Sequence, residues 1–231
     1  MAPTTRFEAE GMARGYRVIA GVDEAGRGPW AGPVVAAAVI FEGRRVPRGL
    51  DDSKKLTAMA REVAYDKIMA KAMVGIGIAD VATIDRINIL QATLQAMRDA
   101  IRALPCLPDL ALVDGDRAPA LDCAIRTVIE GDALSVSVAA ASIIAKVTRD
   151  RIMCALDETC PGYDFHQHKG YGTPEHRAAL ERLGVSPHHR LSFAPVAARA
   201  ARGLFDLLPR PAVAERERSG CEPPAAGLAE G

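Results

Sequence analysis

Residues 17–41 read RVIAGVDEAGRGPWAGPVVAAAVIF, and this stretch decides the fold. RVIAGV (17–22) and PVVAAAVIF (33–41) are apolar runs with β-branched residues, each of strand length. Between them, DEAGRGPWAG is dense in turn residues. One pattern inside it, Gly26-x-Gly28-x-x-Ala31, fits the dinucleotide-binding fingerprint. That fingerprint needs a helix to open at once, with its N-terminus at a pyrophosphate. Pro29 and Pro33 intervene and a second strand follows, so the match is a false positive.

The rest of the chain extends this pair. Residues 57–72 have helical composition, and MVGIGIA (73–79) reads as a third strand whose glycines allow close backbone approach. Thr83 is placed to cap a helix whose stripe Ile87, Leu90, Leu94, Met97, Ile101, Leu104 steps by three and four. Pro105 and Pro108 end it. DLALV (109–113) gives a fourth strand that runs into Asp114-Gly115, and a fifth covers 123–129. Residues 138–158 form a long helix with a small-residue face (Ala139, Ala140, Ala141, Ser142, Ala145) suited to packing on a sheet. A loop is expected over 160–173 and helices over 174–183 and 195–207. The first three strands are expected to be antiparallel and the last two parallel by crossover, an α/β layered domain with a mixed sheet. Residues 1–16 form an N-terminal arm, 17–208 the domain, and 209–231 (Pro, Ala, Gly, Arg, Glu) a tail expected to be disordered.

Composition narrows the function classes. The chain has 231 residues, 29 basic and 29 acidic, so its formal charge is zero and a histone-like polycation or an acidic solvating chain is excluded. Nucleic acid stays open as a partner, because a local basic groove can sit on a neutral molecule. The five cysteines are odd in number and contain no Cys-x-x-Cys pair, so they read as reduced thiols. Neither a signal peptide nor a membrane-length apolar run is evident, which predicts a soluble, cytoplasmic protein, and nothing demands an oligomer, so a monomer is expected.

Chemistry centres on acids at strand ends. Asp23-Glu24 follows the first strand and Asp114 the fourth, while Asp132 follows the fifth in Glu130-Gly131-Asp132. Each has a plainer reading: Asp23 as a turn opener with Glu24 in solvent, Asp114-Gly115 as a hairpin dipeptide, Asp132 as a loop acid or cap. Taken together, carboxylates without Cys or His make an all-oxygen site suited to hard Mg²⁺ or Mn²⁺. Adjacent strand residues point to opposite faces, so Asp23 and Glu24 share an ion only if the backbone bends there. Ser53-Lys54-Lys55 is a candidate phosphate contact or a solvated loop. Gly170-Tyr171-Gly172, after His166, His168 and Lys169, offers a ring for stacking on a sugar or base, or one packed under its own loop. Ser142, Lys146 and Arg149 share a helix face that could meet phosphates, though Lys146 and Asp150 suit an ordinary ion pair. All five histidines fall within 166–189, and only His168 is given a role, as a phosphate contact.

In order along the chain, GVDEAGRGPWAGPVVAAAVI (21–40), DSKKL (52–56), INILQATLQAM (87–97), LVDG (112–115), EGD with AAASIIAKVTRD (130–150) and HKGYGT (168–173) resemble ribonuclease HII. The resemblance covers roughly residues 17–205 and implies a ribonuclease H-like fold: a five-stranded mixed sheet flanked by helices, with a C-terminal helical extension. It implies endonucleolytic cleavage of the RNA strand of RNA–DNA hybrids and at single ribonucleotides in duplex DNA, leaving 3′-hydroxyl and 5′-phosphate ends. By the same resemblance Asp23, Glu24, Asp114 and Asp132 are the acidic set that binds two divalent ions, Mn²⁺ or Mg²⁺. Gly26-Arg27-Gly28 is the turn whose main chain meets the ribose 2′-OH, and Tyr171 the tyrosine at the ribo-to-deoxyribo junction. Two rivals stay open: a metal-independent ribonuclease using the histidines as acid and base, and a nucleic-acid-binding module without catalysis.

Overall fold

The computed structural model describes residues 2–43, 46–47, 49–50, 53 and 56–206. The expectations for Lys54, Lys55 and the 209–231 tail lie outside the described residues. The strands are β1 (Ile19–Ala25), β2 (Val34–Phe41), β3 (Ala72–Ala79), β4 (Leu110–Asp114) and β5 (Ala124–Val128), in spatial order β3-β2-β1-β4-β5. The pairs β1–β2 and β2–β3 are antiparallel, and β1–β4 and β4–β5 are parallel, as the lengths of the connections require. The helices are α1 (Arg6–Ala13), α2 (Ala58–Met69), α3 (Val81–Arg102), α4 (Gly131–Leu134), α5 (Val136–Thr159), α6 (Phe165–His168), α7 (Pro174–Leu183) and α8 (Ala194–Asp206).

Two apolar layers follow from strand alternation. Val22, Ala36, Ala38 and Val113 pack with Ala92, Ala96, Met97 and Ile101 of α3. Ala37 and Val39 point the other way, onto Ala140, Ala141, Ile143 and Ile144 of α5 and onto Ala64 and Ile68 of α2. The alanine face of α5 lets it ride close to the sheet: a Cβ at Gly21 of β1 would collide with the backbone of Ser137 and Val138. Gly75 and Gly77 of β3 approach the α3 backbone in the same way, as the third strand's glycines suggested.

Several local expectations are corrected. The side chain that caps α3 is Asp80, which accepts from the Thr83 amide at 2.8 Å, so the helix opens before Thr83. Asn88 interrupts α3 with a left-handed φ of 67° and recaps it by accepting from the Gln91 amide. This break rotates the helix, so Leu90 leaves the stripe and Ile89, Ala92 and Ala96 enter the core side. Asp114-Gly115 is no hairpin, because β4 and β5 run parallel. The expected loop over 160–173 contains the turn α6, with Phe165 fully buried. Within the N-terminal arm, α1 docks through Glu8, which accepts from both Ser135 and Ser137 at the start of α5.

Candidate active site

β1 carries its acids straight out of the sheet. Its pairing with β2 stays regular through Asp23↔Ala37, Glu24↔Ala36 and Ala25↔Val35, so no bulge intervenes. Cross-strand partners share a face, which puts Asp23 on the α5 side with Ala37 and Glu24 on the α3 side with Ala36. Asp114 continues β4 one step past the last β1 pair, Val22↔Val113, and lies on the α5 side because Leu112 packs on Val138. Asp23 and Asp114 are therefore neighbours at the ends of adjacent parallel strands. Glu24 reaches the same cleft from the other face of the sheet end.

The cleft has a volume of about 280 Å³ and is lined by all three acids, the turn Gly26–Gly28, Ser53, Arg61, Ser142, Lys146 and Tyr171. Asp23 is only 4% exposed. Burial, then the negative charges of Glu24 and Asp114, push its carboxyl well above the usual range, against hydrogen bonds from the Glu24 amide and Ser142. Burial also raises Glu24, while Arg27, 3.2 Å away, pulls it back. Asp114 accepts from the Gly131 amide at 2.7 Å, which ties β4 to α4. Asp132, on α4, is buried and is not among the residues lining the cleft. Among the described residues no three His, Cys, Asp or Glu side chains form a ready-made metal cage. The fit to a hard divalent ion is one of donor type and charge: oxygen ligands only, around a buried carboxyl whose ionisation its neighbours oppose.

The remaining expected residues divide. Ser142 and Ser53 share a 2.8 Å hydrogen bond at the cleft floor, and Lys146 lines the wall while paired with Asp150 at 2.7 Å. Arg149 does not face phosphates: it is 1% exposed, and its guanidinium donates to the carbonyls of Pro33, Lys169 and Ala31. The helix face turns from cleft to interior within that one step of three residues. The ring nitrogens of His168 meet the Tyr163 carbonyl and the Gly170 amide, and Lys169 reaches the His166 carbonyl, so neither faces the cleft. No histidine is among the residues lining the cleft.

Two positioning residues were not singled out by the sequence. Arg190, fully buried, donates to the carbonyls of Gly26 (2.6 Å), Arg27 (3.0 Å), Gly32 (2.9 Å) and Pro33 (3.1 Å). In a trans peptide the N–H opposes the preceding carbonyl, so the Arg27 and Gly28 amides point away from this buried guanidinium, to the cleft side of the turn. Gly26, at φ 96°, has no room for a Cβ beside the Arg149 side chain. Arg61 of α2 donates to the Ser53 and Leu56 carbonyls and so borders the cleft. An apolar-to-basic pattern in an apparent loop gave no sign of Arg190. Only its lack of a nearby acid in sequence hints that backbone would be its partner.

Comparisons with known proteins agree with this fold. The family model described as Ribonuclease HII matches residues 20–196. A ribonuclease HII of Bradyrhizobium sp. (strain BTAi1 / ATCC BAA-1182) is 57% identical over 196 residues, 85% of this chain and 68% of that protein. One from Rhodopseudomonas palustris (strain BisA53) is 52% identical over 226 residues, 98% of this chain and 78% of its own length. Among solved structures, ribonuclease H2 from Pyrococcus horikoshii OT3 superposes with a TM-score of 0.69 at 27% identity, covering 80% of this chain and 98% of that one. RNase HII from the Archaeoglobus fulgidus complex with PCNA gives 0.65 at 25% identity, covering 76% and 95%. With its strand-end acids, mixed five-stranded sheet and these relatives, the chain belongs to the ribonuclease HII family and is a ribonuclease H-type hydrolase.

Proposed function

We propose that the cleft cleaves the RNA strand of RNA–DNA hybrids, and duplex DNA at single embedded ribonucleotides, leaving 3′-hydroxyl and 5′-phosphate ends. The observation that carries this reading is the side-by-side placement of Asp23 and Asp114 on adjacent parallel strands, in one cleft with Glu24, the Gly26–Gly28 turn and Tyr171. Asp23, Glu24 and Asp114 would hold the ions, with Asp132 next to Gly131, whose amide binds Asp114. Bound there, Mg²⁺ or Mn²⁺ would neutralise the scissile phosphate and make water a competent nucleophile near neutral pH. The chain's own groups do the rest. Ser142 fixes the Asp23 carboxyl by a hydrogen bond, and Arg27 turns Glu24 toward the turn. Lys146 and Arg61 place positive charge on the walls, where a backbone phosphate would pass. The Arg27 and Gly28 amides can donate to a 2′-oxygen, the group that separates RNA from DNA at a given position. Tyr171, 44% exposed and beside Gly28, offers its ring to the neighbouring sugar.

A DNA duplex carrying one ribonucleotide, incubated with each ion and analysed for both termini, tests the reading. A 2′,3′-cyclic phosphate product, or equal cleavage in EDTA, would sink it. Asp23→Asn and Asp114→Asn should each lose about a hundred- to a thousandfold in turnover yet stay folded, since loss of electrostatic preorganisation at a reacting centre has that magnitude. Without divalent ions Asp23→Asn should also melt no lower than the parent, because it removes a buried carboxyl opposed by its neighbours.

A further inference from the structure

Behind Tyr171 lies a cluster of imidazoles that the chemistry above does not use. His176 is fully buried, His189 is 1% exposed, and His168 stacks on His176 with ring centroids 4.4 Å apart. Hydrogen-bond partners fix the tautomer of each ring. A carbonyl only accepts, so His176 carries its proton on Nδ1, which donates to the Tyr171 carbonyl at 2.9 Å. His168 likewise donates from Nε2 to the Tyr163 carbonyl at 2.7 Å, and its Nδ1 accepts from the Gly170 amide at 3.2 Å. The Ser186 amide donates to His189 Nδ1 at 3.1 Å, so His189 holds its proton on Nε2. That Nε2 donates to the bare Nε2 of His176 at 3.0 Å. Every ring nitrogen of the three is thereby engaged, and burial favours the neutral form of His176 and His189.

We propose that His168, His176 and His189 form a neutral imidazole relay that positions the Tyr171 loop in the cleft, and that uptake of one proton by the relay releases the loop. The proposal rests on the reading of Tyr171 as the group that meets the ribo-to-deoxyribo junction. A proton has no place to go without breaking a bond. On His176 Nε2 it would face the His189 N–H and on His168 Nδ1 the Gly170 amide, while on His189 Nδ1 it would displace the Ser186 amide and turn to the Ser186 hydroxyl 2.7 Å away. The His176 and His168 positions lead directly to the loop. The Tyr171 amide donates to the His168 carbonyl at 2.9 Å, and the Trp30 amide donates to the Gly170 carbonyl at 2.8 Å. Trp30 in turn packs on His176, with ring centroids 5.4 Å apart.

The surroundings resist a proton on the buried pair. Arg177 lies over Trp30, Arg190 follows His189 and His188 precedes it, and Arg149 holds the Lys169 carbonyl. The acids nearby are engaged elsewhere or lie at the edge: Asp157 binds His166, Asp85 binds the Leu191 and Ser192 amides, and Glu175 faces His168 from the exposed start of α7. Burial, then the charge of His176, depresses His189 to about 4, and burial depresses His176 in the same direction. The relay is thus closed at neutral pH and opens on acidification.

Imidazole nitrogen NMR of the full chain, without substrate or divalent ions, reads the tautomers directly. The expected result is Nδ1–H on His176, Nε2–H on His168 and His189, and both buried rings titrating below the ordinary imidazole range. Independent titration of His176 or His189 near 6.5, or the opposite tautomers, overturns the proposal. The second measurement is the ratio of cleavage at a single-ribonucleotide junction to cleavage of a uniform hybrid, followed from pH 8 to 4.5. Because effects on the acids enter both substrates, the ratio isolates the loop. It should fall about tenfold at the acid end in the parent and at all pH values in His176→Phe, the magnitude expected for losing one buried hydrogen bond. His176→Asn keeps a donor near the Nδ1 position and cannot take up a proton, so its ratio should stay within about threefold of the parent at pH 8 and be flatter in acid. Should His176→Phe fail to fold, the parent ratio, the asparagine variant and the NMR still decide. A flat ratio in the parent overturns the relay. An unchanged ratio in Tyr171→Ala instead removes Tyr171 from the junction and with it the reading on which the relay rests.

Discussion

Arg190 carries a charge with backbone dipoles as its partners. Burial, then the positive charge of Arg149, lowers it to about 9, so it stays protonated at neutral pH. Its four carbonyl partners replace the water lost on burial, and its planar fork fits them in a way an ammonium does not. Arg190→Lys should therefore destabilise by roughly 2 kcal/mol, a fall in melting temperature of about 4–8 °C for a domain this size. It should also narrow the preference for a ribonucleotide over a deoxyribonucleotide at the scissile position, since the Gly26–Gly28 turn would no longer be held. Thermal melting and paired cleavage assays check both. An unchanged preference in a folded variant would mean that the turn keeps its shape without the fork. Asp23 behaves in the opposite sense, a buried carboxyl whose acidic neighbours oppose its ionisation and whose relief within the chain is limited to hydrogen bonds from the Glu24 amide and Ser142.

Along β1 and α5 the constraint is room rather than charge. A side chain at Gly21 would meet helix backbone, which cannot rotate aside, so Gly21→Ala must push α5 off the sheet. Overpacking of this kind costs about 1–3 kcal/mol, and here it displaces Ser142 from Asp23 as well. The expected outcome is a lower melting temperature together with reduced turnover, measured on the purified variant; a shift in stability alone would show that the helix moves without disturbing the cleft. The first two strands were legible as short apolar, β-branched runs bounded by turn residues, and α5 by its small-residue face. The break at Asn88 was not, because a single left-handed residue leaves the apolar pattern on either side nearly intact. The acids could be read as strand ends, and β-sheet register then brought Asp23 beside Asp114. Arg149 was misread for a physical reason: helical spacing says which residues share a face, not whether that face stays at the surface along its whole length. No periodic pattern marks His176 as a partner of the Tyr171 carbonyl, five residues earlier, or of His189, thirteen residues later.

Acid should weaken the folded protein through its buried histidines. His189 stands at about 4 when folded and near 6.5 when unfolded, so between these values the unfolded chain binds protons that the folded one refuses. Stability from this group is complete above about pH 6.5 and declines as pH falls, by at most about 1.4 kcal/mol per pH unit, levelling off below about 4. Asp23, raised on folding, acts with the opposite sign: its protonated form is favoured in the folded state, so its contribution grows as pH falls. Urea denaturation of Asp23→Asn between pH 7.5 and 4.5 removes that opposing trend and should show the steeper loss; a flat profile would mean that the histidines ionise freely in the native state. The bonds from Arg190 to Gly26 and Arg27 span 164 and 163 residues of chain. During synthesis on the ribosome, Asp23, Glu24 and Asp114 are all made well before residue 190 leaves the exit tunnel. A nascent chain halted short of that point would already contain the three acids but lack the brace on the Gly26–Gly28 turn, so the proposed discrimination between sugars would have to wait until Arg190 emerges.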